Sequence, residues 1–436
     1  MVTPVELLQH LIRFDTTNPP GNEAALIEWV AGLLRENGIE PTVVGRSPSR
    51  TNLFARIPGR GDAPPLLLYG HVDVVTTADQ TWTHPPFSGD IIDGYVWGRG
   101  ALDMKGGDAM LISAFLRAKT ENFVPAGDLI LCLGADEEAA GSWGIKYLVE
   151  EHAELFGGAK VCLSEFGAFP LYIAGKRFYP IMVTERYVHS LKATIRGAGG
   201  HGAMRQTGTA MGRLGRLLTR LEGARLPVHI TPVASALVEG IAAELDEPFA
   251  SGLRALLDPA KTNVALDQLD PAAARLFDPL LHNTVNPTIV AGGHKINVIP
   301  SEIVLRMDGR VLPGITPDEF VEEVRMLIGD DSVVLEHNES EPPAAMRDPD
   351  MSHFQMLADV LKAADPSGVP VPYMVSGATD ARVMAQLGIQ TYGFLPMNLP
   401  SEFNFAATIH AADERIPVGA VGFGADAIYE AVKRYR

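Results

Sequence analysis

The sequence is poor in cysteine, with two, Cys132 and Cys162, among 436 residues. Both sit in apolar, strand-like runs and neither belongs to a CxxC pair. That excludes a disulfide framework and suits buried free thiols in a reducing cytoplasm. A cationic excess is absent as well. The formal net charge of −17 withholds the clustered Lys and Arg that a nucleic-acid partner needs. An anionic small molecule stays admissible, because one well-placed Arg can act against the global sign. No apolar run reaches membrane-spanning length. The N-terminal MVTPVELLQHLIRFDTTNPP lacks the basic and apolar regions of a secretory signal, and reads instead as an amphipathic helix ending near Asn18-Pro19-Pro20. Repeats and low-complexity tracts are missing too. These absences describe a soluble cytoplasmic protein with neither nucleic acid nor membrane as partner.

What is present is ordinary globular composition, 46% hydrophobic and 20% charged, in a chain long enough for about two or three domains. Up to residue 185, strand and helix signals alternate: Ala24 to Asn37 at helical spacing, strand runs at Leu53 to Ile57 and Leu66 to Tyr69, a helix from Met104, and a buried strand at Leu129 to Gly134. Such alternation implies an α/β unit with a mostly parallel sheet and its ligand site at strand carboxyl ends. Residues 186–340 change character. Strand, helix, strands, helix and strand follow one another, with a helical stretch at 234–282, which is the order of an α+β module. From 341 to 436 the α/β pattern resumes. The simplest account is a catalytic domain in two parts, 1–185 and 341–436, interrupted by an inserted domain at 186–340.

Five side chains stand where chemistry is expected. His71 and Asp73 lie in LLLYGHVDVV, Asp103 in GRGALDMKGG, and Glu137 with Glu138 in LILCLGADEEAAGS. A neutral imidazole, a lone carboxylate and a carboxylate pair are ligands a divalent metal accepts while keeping a position open for water. Each has a plainer reading. A strand-end His two residues from an Asp often makes only an ordinary hydrogen bond, although residues two apart on a strand point the same way and Asp73 could fix the His71 tautomer. Asp103, before a helix, fits an N-cap as well as a metal bridge. The Glu137-Glu138 pair resists the plain reading, because adjacent carboxylates after an apolar strand repel and are desolvated together unless cations compensate. One can ligate a metal while the other faces its water as a general base.

Across nearly the whole chain, GHVDVV, GRGALDMKGG, GADEEAAG, GGHGAM, NVIPSE, SGATDAR and IHAADERIPV occur in one order. In that order the chain resembles the cocatalytic dizinc peptidases and amidohydrolases that include aminoacylase, glutamate carboxypeptidase, carboxypeptidase S, acetylornithine deacetylase and succinyl-diaminopimelate desuccinylase. The resemblance implies a zinc-exopeptidase-type α/β catalytic domain with a ferredoxin-like α+β insert serving as lid and dimerisation domain. It implies that His71 and Glu165 hold one metal, Glu138 and His410 the other, and that Asp103 bridges them. Asp73 would orient His71, and Glu137 would be the general base and acid. His201 would polarise the scissile carbonyl, often across a dimer interface; Asn297 and Arg310 would take the substrate carboxylate; Gly377 and Thr379 would line the substrate loop. Read alone, His201 is a turn residue and Glu165 a strand-end surface Glu. The chain departs from the family at three places: Phe166 follows Glu165 in place of a glycine-rich context, Ala411-Ala412 replace Gly-Pro, and Arg205 replaces a proline. The stretch 234–282 makes the insert long, which resembles the carboxypeptidase S and N-acyl-amino-acid hydrolase branch.

The implied activity is metal-dependent cleavage of an amide or peptide bond next to a free carboxylate, by a metal-bridging hydroxide that Glu137 activates. The substrate would be an N-acyl amino acid or short peptide. The cofactors would be two divalent ions, zinc first, with cobalt, manganese or nickel fitting the same ligands, and the protein would be a homodimer through the inserted domain. A dizinc aminopeptidase without the insert, and an inactive metal-binding scaffold on the same fold, are the alternatives.

Overall fold

The computed structural model describes residues 2–139, 141–337 and 348–436. The chain folds as two compact units, one of Met1–Thr184, Pro349–Tyr373 and Thr379–Arg436, the other of Glu185–Asp348 and Met374–Ala378. The boundary expected between 340 and 341 lies outside the described residues.

The first unit is α/β, built on a nine-stranded mixed sheet. Its centre is parallel: Leu129–Gly134, Leu66–His71, Val161–Ser164 and Gln390–Gly393 lie side by side in that order. Antiparallel strands flank them, Arg50–Ile57 and Thr42–Ser47 on one side and Lys176–Glu185 on the other. Leu66–His71 and Leu129–Gly134 are buried along their whole length, as parallel strands covered on both faces must be. Leu67, Tyr69, Ile130 and Cys132 pack with Ile145 and Leu148 of the helix Ile145–Glu151 on one face. On the other face the helix Lys105–Thr120 approaches the strand that ends in His71. Gly70 permits that approach, since a Cβ there would lie 2.1 Å from Asp108 Oδ1. The helix Val418–Arg434 packs against the same helix.

The N-terminal helix is shorter than its sequence suggested, Pro4–Ile12, started by a Thr3–Glu6 capping box with Pro4 in its first turn. Lys176–Glu185 had no counterpart among the expected strands. It contains Pro180, which argues against an internal strand, and the Pro180 carbonyl instead accepts the N–H of Ala168. Cys132 and Cys162 are buried and free. No helix among the described residues is long and apolar enough to cross a membrane.

In the second unit, chain order is strand Leu191–Arg196, helix Ala210–Gly223, strands Thr284–Ala291 and Glu302–Val311, helix Pro317–Ile328 and strand Val334–His337. The sheet is antiparallel, with Leu191–Arg196 between Glu302–Val311 and Val334–His337. Leu214, Leu217, Phe320 and Val324 of the two helices share a core with Ala193, Ile303 and Leu305. The stretch 234–282 resolves into Pro232–Ala242, Phe249–Arg254, Thr262–Gln268 and Pro271–Leu281. Thr231 and Asp270 cap the first and last of these, each followed by Pro.

Candidate metal centre

His71 closes the parallel strand Leu66–His71 and is fully buried. Its Nε2 lies 3.2 Å from Asp103 Oδ1 and 3.4 Å from Glu165 Oε2. Glu165 follows the neighbouring strand Val161–Ser164, so two adjacent strand ends aim an imidazole and a carboxylate at one point. The second oxygen of Asp103 faces the other way. Asp103 Oδ2 is 3.1 Å from His410 Nε2, which in turn is 3.2 Å from Glu138 Oε1. One carboxylate thus stands between two imidazole–carboxylate pairs. Ligand atoms of His71, Asp103 and Glu138 fall within 4.8 Å of one another, as do those of His71, Glu137 and Glu165.

Asp73 does more than the two-residue spacing suggests. His71 Nδ1 is 3.1 Å from the Asp73 backbone carbonyl and 3.5 Å from its carboxylate. The carboxylate is committed elsewhere, accepting the backbone N–H groups of Glu137 and Glu138, each at 3.1 Å, and the Asn18 amide at 2.8 Å. It therefore fixes the Glu137–Ala139 turn against the strand end. Asn18 also reaches Asp136 at 2.9 Å, and Arg50 joins Asp136 at 3.0 Å to the buried Glu23 at 2.5 Å.

The loop carrying Asp103 has its own support. Glu414, wholly buried, accepts the N–H groups of Gly100, Leu102 and Asp103 at 2.8–3.1 Å and pairs with Arg99 at 2.6 Å. Arg99 also donates to the Ala411 carbonyl, so one ion pair ties the Asp103 loop to the segment around His410. On the far side of the sheet Tyr69 donates to the buried Asp380. None of Asn18, Arg50, Glu414 or Asp380 was singled out from sequence as serving the site. Glu414 and Asp380 had the nearest signal, because they lie inside the IHAADERIPV and SGATDAR motifs.

Electrostatics follow from burying so many acids together. Burial, reinforced by Glu165, pushes the Glu137 carboxyl well up. Burial lifts Glu138 against the hydrogen bond from His410, and lifts Glu165 to about 8 against the pull of His71. Asp103 goes the other way: despite its burial, hydrogen bonds from His410 and His71 hold it far below the usual carboxylate range. Hydrogen bonds to Asp103 and Glu138 raise His410 to about 10, and carboxylates led by Glu165 raise His71 over the opposing effect of burial. The residues fit divalent cations on chemical grounds: carboxylates and imidazoles converge, and the buried Glu165 Oε2 meets only His71, at 3.4 Å, among the described residues.

The other expected substrate residues sit elsewhere. His201, Asn297 and Arg310 belong to the second unit, as does Gly377. His201 lies in a two-stranded antiparallel sheet, Gly200–His201 with Val298–Ile299. Its Nδ1 accepts the Ala203 N–H, and the Asn297 carbonyl accepts the N–H of Gly202, so His201 and Asn297 are brought side by side. Arg310 donates through two nitrogens to Asp308, at 2.8 and 3.1 Å. Thr379, in the first unit, is buried and accepts the Ala381 N–H.

Residues 67–434 match the profile of a family described as Peptidase family M20/M25/M40. The chain is 28% identical over 370 residues to a probable carboxypeptidase S-like protein of Dictyostelium discoideum, covering 81% of this chain and 68% of the relative. It is 27% identical over 389 residues to the N-fatty-acyl-amino acid synthase/hydrolase of Homo sapiens, covering 85% and 74%. To aminoacylase-1 of Sus scrofa it is 24% identical over 418 residues, covering 94% and 90%. Among solved structures, the M20 family metallo-carboxypeptidase of Sulfolobus solfataricus superposes with a TM-score of 0.69 at 15% identity, over 99% of both chains. A dinuclear metal binding peptidase of the same family from Bacillus subtilis superposes with a TM-score of 0.58 at 14% identity, covering 98% of this chain and 96% of that one.

Proposed function

The chain belongs to peptidase family M20/M25/M40, and from that premise we propose that it cleaves an amide or peptide bond adjacent to a free carboxylate, as an N-acyl-amino-acid deacylase or a carboxypeptidase or dipeptidase. The observation that carries the reading is Asp103, with one oxygen 3.2 Å from His71 and the other 3.1 Å from His410. If divalent ions bind, His71 and Glu165 would hold one and Glu138 and His410 the other, with Asp103 shared between them. Zinc is the first choice among ions for this donor set. Such ions, when bound, polarise a water and a carbonyl oxygen, so that hydrolysis proceeds near neutral pH.

The chain's own residues do the rest. Glu137, with its carboxyl pushed up by burial, takes the proton of the attacking water and returns it to the leaving amine. Asp73 keeps Glu137 in place through the backbone N–H it accepts. His201 is assigned to the carbonyl oxygen, Asn297 and Arg310 to the substrate carboxylate, and Gly377 and Thr379 to the substrate loop. For Arg310, substrate would have to share or displace Asp308. We assign self-association to the second unit, where the strand Thr284–Ala291 exposes Ile289 and Val290.

Metal analysis of the purified protein, followed by turnover of N-acyl amino acids and dipeptides against amino-acid amides, tests the reading. It stands if carboxylate-bearing substrates are cleaved and chelation abolishes the activity. It falls if only amides with a free amino group are cleaved, or if nothing is.

A further inference from the structure

His71, Asp103 and Glu165 are buried, and they stand at strand ends or in a loop pinned by Glu414. His410 has neither advantage. It lies between the short helix Phe405–Thr408 and the strand Arg415–Pro417, and its side chain is 47% exposed. Its φ of 62° is in the left-handed region, as is that of Asp413 at 61°, where a residue with a Cβ stays only if its surroundings hold it. The imidazole gets no help from its second nitrogen. A metal-ligating histidine usually gives that nitrogen to a carboxylate or carbonyl, but His410 Nδ1 meets no hydrogen-bond partner among the described residues. Apart from the co-ligands, only the backbone sets where the ring points.

What holds that backbone is the loop after the strand Leu66–His71. Gln80 donates through Nε2 to the His410 carbonyl at 2.8 Å, and its Oε1 accepts Arg99 Nη2 at 2.7 Å. Arg99 reaches the same carbonyl less closely, at 3.3 Å. Three residues on, the Thr83 N–H and hydroxyl donate to the two carboxylate oxygens of Asp413, each at 2.7 Å. The guanidinium carbon of Arg99 lies 5.1 Å from the centroid of the Trp82 ring. Residues 80–83 thus grip 410–413 at both ends. The single amide of Gln80 is used twice, as donor to His410 and as acceptor from Arg99, so a side chain carrying both functions is needed there.

We propose that Gln80 is a positioning residue for His410, fixing the carbonyl of that residue so that its imidazole stays within reach of Asp103 and Glu138. The assignment rests on the metal-centre part of the hydrolase reading above. In this role Gln80 touches neither ion nor substrate; it acts through one bond to the backbone. Losing it should loosen the ion assigned to Glu138 and His410. The ion assigned to His71 and Glu165 should be spared, because those two ligands are buried at strand ends.

The experiment is a zinc titration in competition with a chromogenic chelator, on the parent, Gln80→Ala, Gln80→Glu, His410→Ala and the Gln80→Ala/His410→Ala double variant, with folding checked by circular dichroism. The parent should take two ions. Gln80→Ala should weaken one of them by about tenfold or more, the usual scale for support behind a metal ligand, and leave the other at parental affinity. Gln80→Glu keeps an acceptor for Arg99 but sets a carboxylate against the His410 carbonyl, so it should lose at least as much. In the His410→Ala background, Gln80→Ala should leave zinc binding where His410→Ala alone puts it, because no ring is left to place. A merely structural role would weaken binding in that background as well. Parental affinity for both ions in Gln80→Ala, or a further loss in the His410→Ala background, overturns the assignment. So does a parent that takes up fewer than two ions. Turnover of N-acyl amino acids and dipeptides on the same samples keeps the two readings apart: without turnover the hydrolase reading falls, and the zinc titration still decides the role of Gln80.

Discussion

The Asp73 carboxylate accepts the backbone N–H of Glu137 at 3.1 Å. A residue two places beyond His71 therefore sets the position of the candidate general base, and the strand end and the base-bearing turn move as one piece. Replacing Asp73 by Ala should lower kcat by about 10–100-fold, the usual cost of losing support behind a metal site. Metal titration and steady-state kinetics on a variant shown to be folded by circular dichroism would check this. An unchanged kcat would mean that the turn holds itself.

Glu137→Gln keeps the shape of the side chain and removes its proton-accepting charge. Turnover should fall by about 10²–10⁴-fold, while metal content measured by mass spectrometry stays near that of the parent. A variant retaining most of its kcat would move the base elsewhere in the site.

Glu414→Ala leaves the guanidinium of Arg99 buried with its main partner gone and frees three backbone N–H groups of the Asp103 loop. Breaking a buried pair from one side costs about 3–5 kcal/mol, so denaturant unfolding should show a loss of that order. Arg99→Met with Glu414→Leu together should recover part of it. A loss below about 1 kcal/mol, as for surface ion pairs, would refute the role given to Glu414.

In the metal-free protein the pH dependence of stability has a definite sign. Glu165 is raised from 4.5 to about 8 and His410 from 6.5 to about 10, so the folded state holds protons that the unfolded chain releases sooner. The stabilisation from Glu165 is complete below about 4.5 and lost through about 8; that from His410 is complete below 6.5 and lost through about 10. Thermal unfolding of chelator-treated protein should therefore give a lower Tm at pH 8 than at pH 5.5. Added zinc should raise Tm more at pH 8, because ligands must be deprotonated to bind it. A Tm that rises with pH in the absence of metal would contradict the assignment.

The readable parts of the sequence were those with local causes. Leu129–Gly134 is an unbroken apolar run between a turn and a glycine, and Pro317–Ile328 has a Thr316–Glu319 capping box before it and a left-handed Gly329 after it. Lys176–Glu185 escaped because Pro180 breaks the strand signal. At the site, the side chains gathered around Asp103 carried motif signals. The pairings that support them did not, even where a partner lies in a motif, since Asn18 meets Asp73, Arg99 meets Glu414 and Tyr69 meets Asp380 from segments far apart. A pairing made only by the fold has no signature in either segment alone. Arg310 shows the converse, because a sequence cannot reveal that its guanidinium already faces Asp308.

His410 reaches Glu138 across 272 residues of sequence, and Glu414 reaches Arg99 across 315. Neither contact can exist until the last segment of the chain has come back to the first, a closure whose entropic cost must be met before any ion is gripped from both sides. The same segment also docks without any ion, through the pairing of Gln390–Gly393 with Val161–Ser164 and the packing of Val418–Arg434 on Lys105–Thr120. A bound cation would add its binding free energy to that closure, tightening a clasp the fold has already formed.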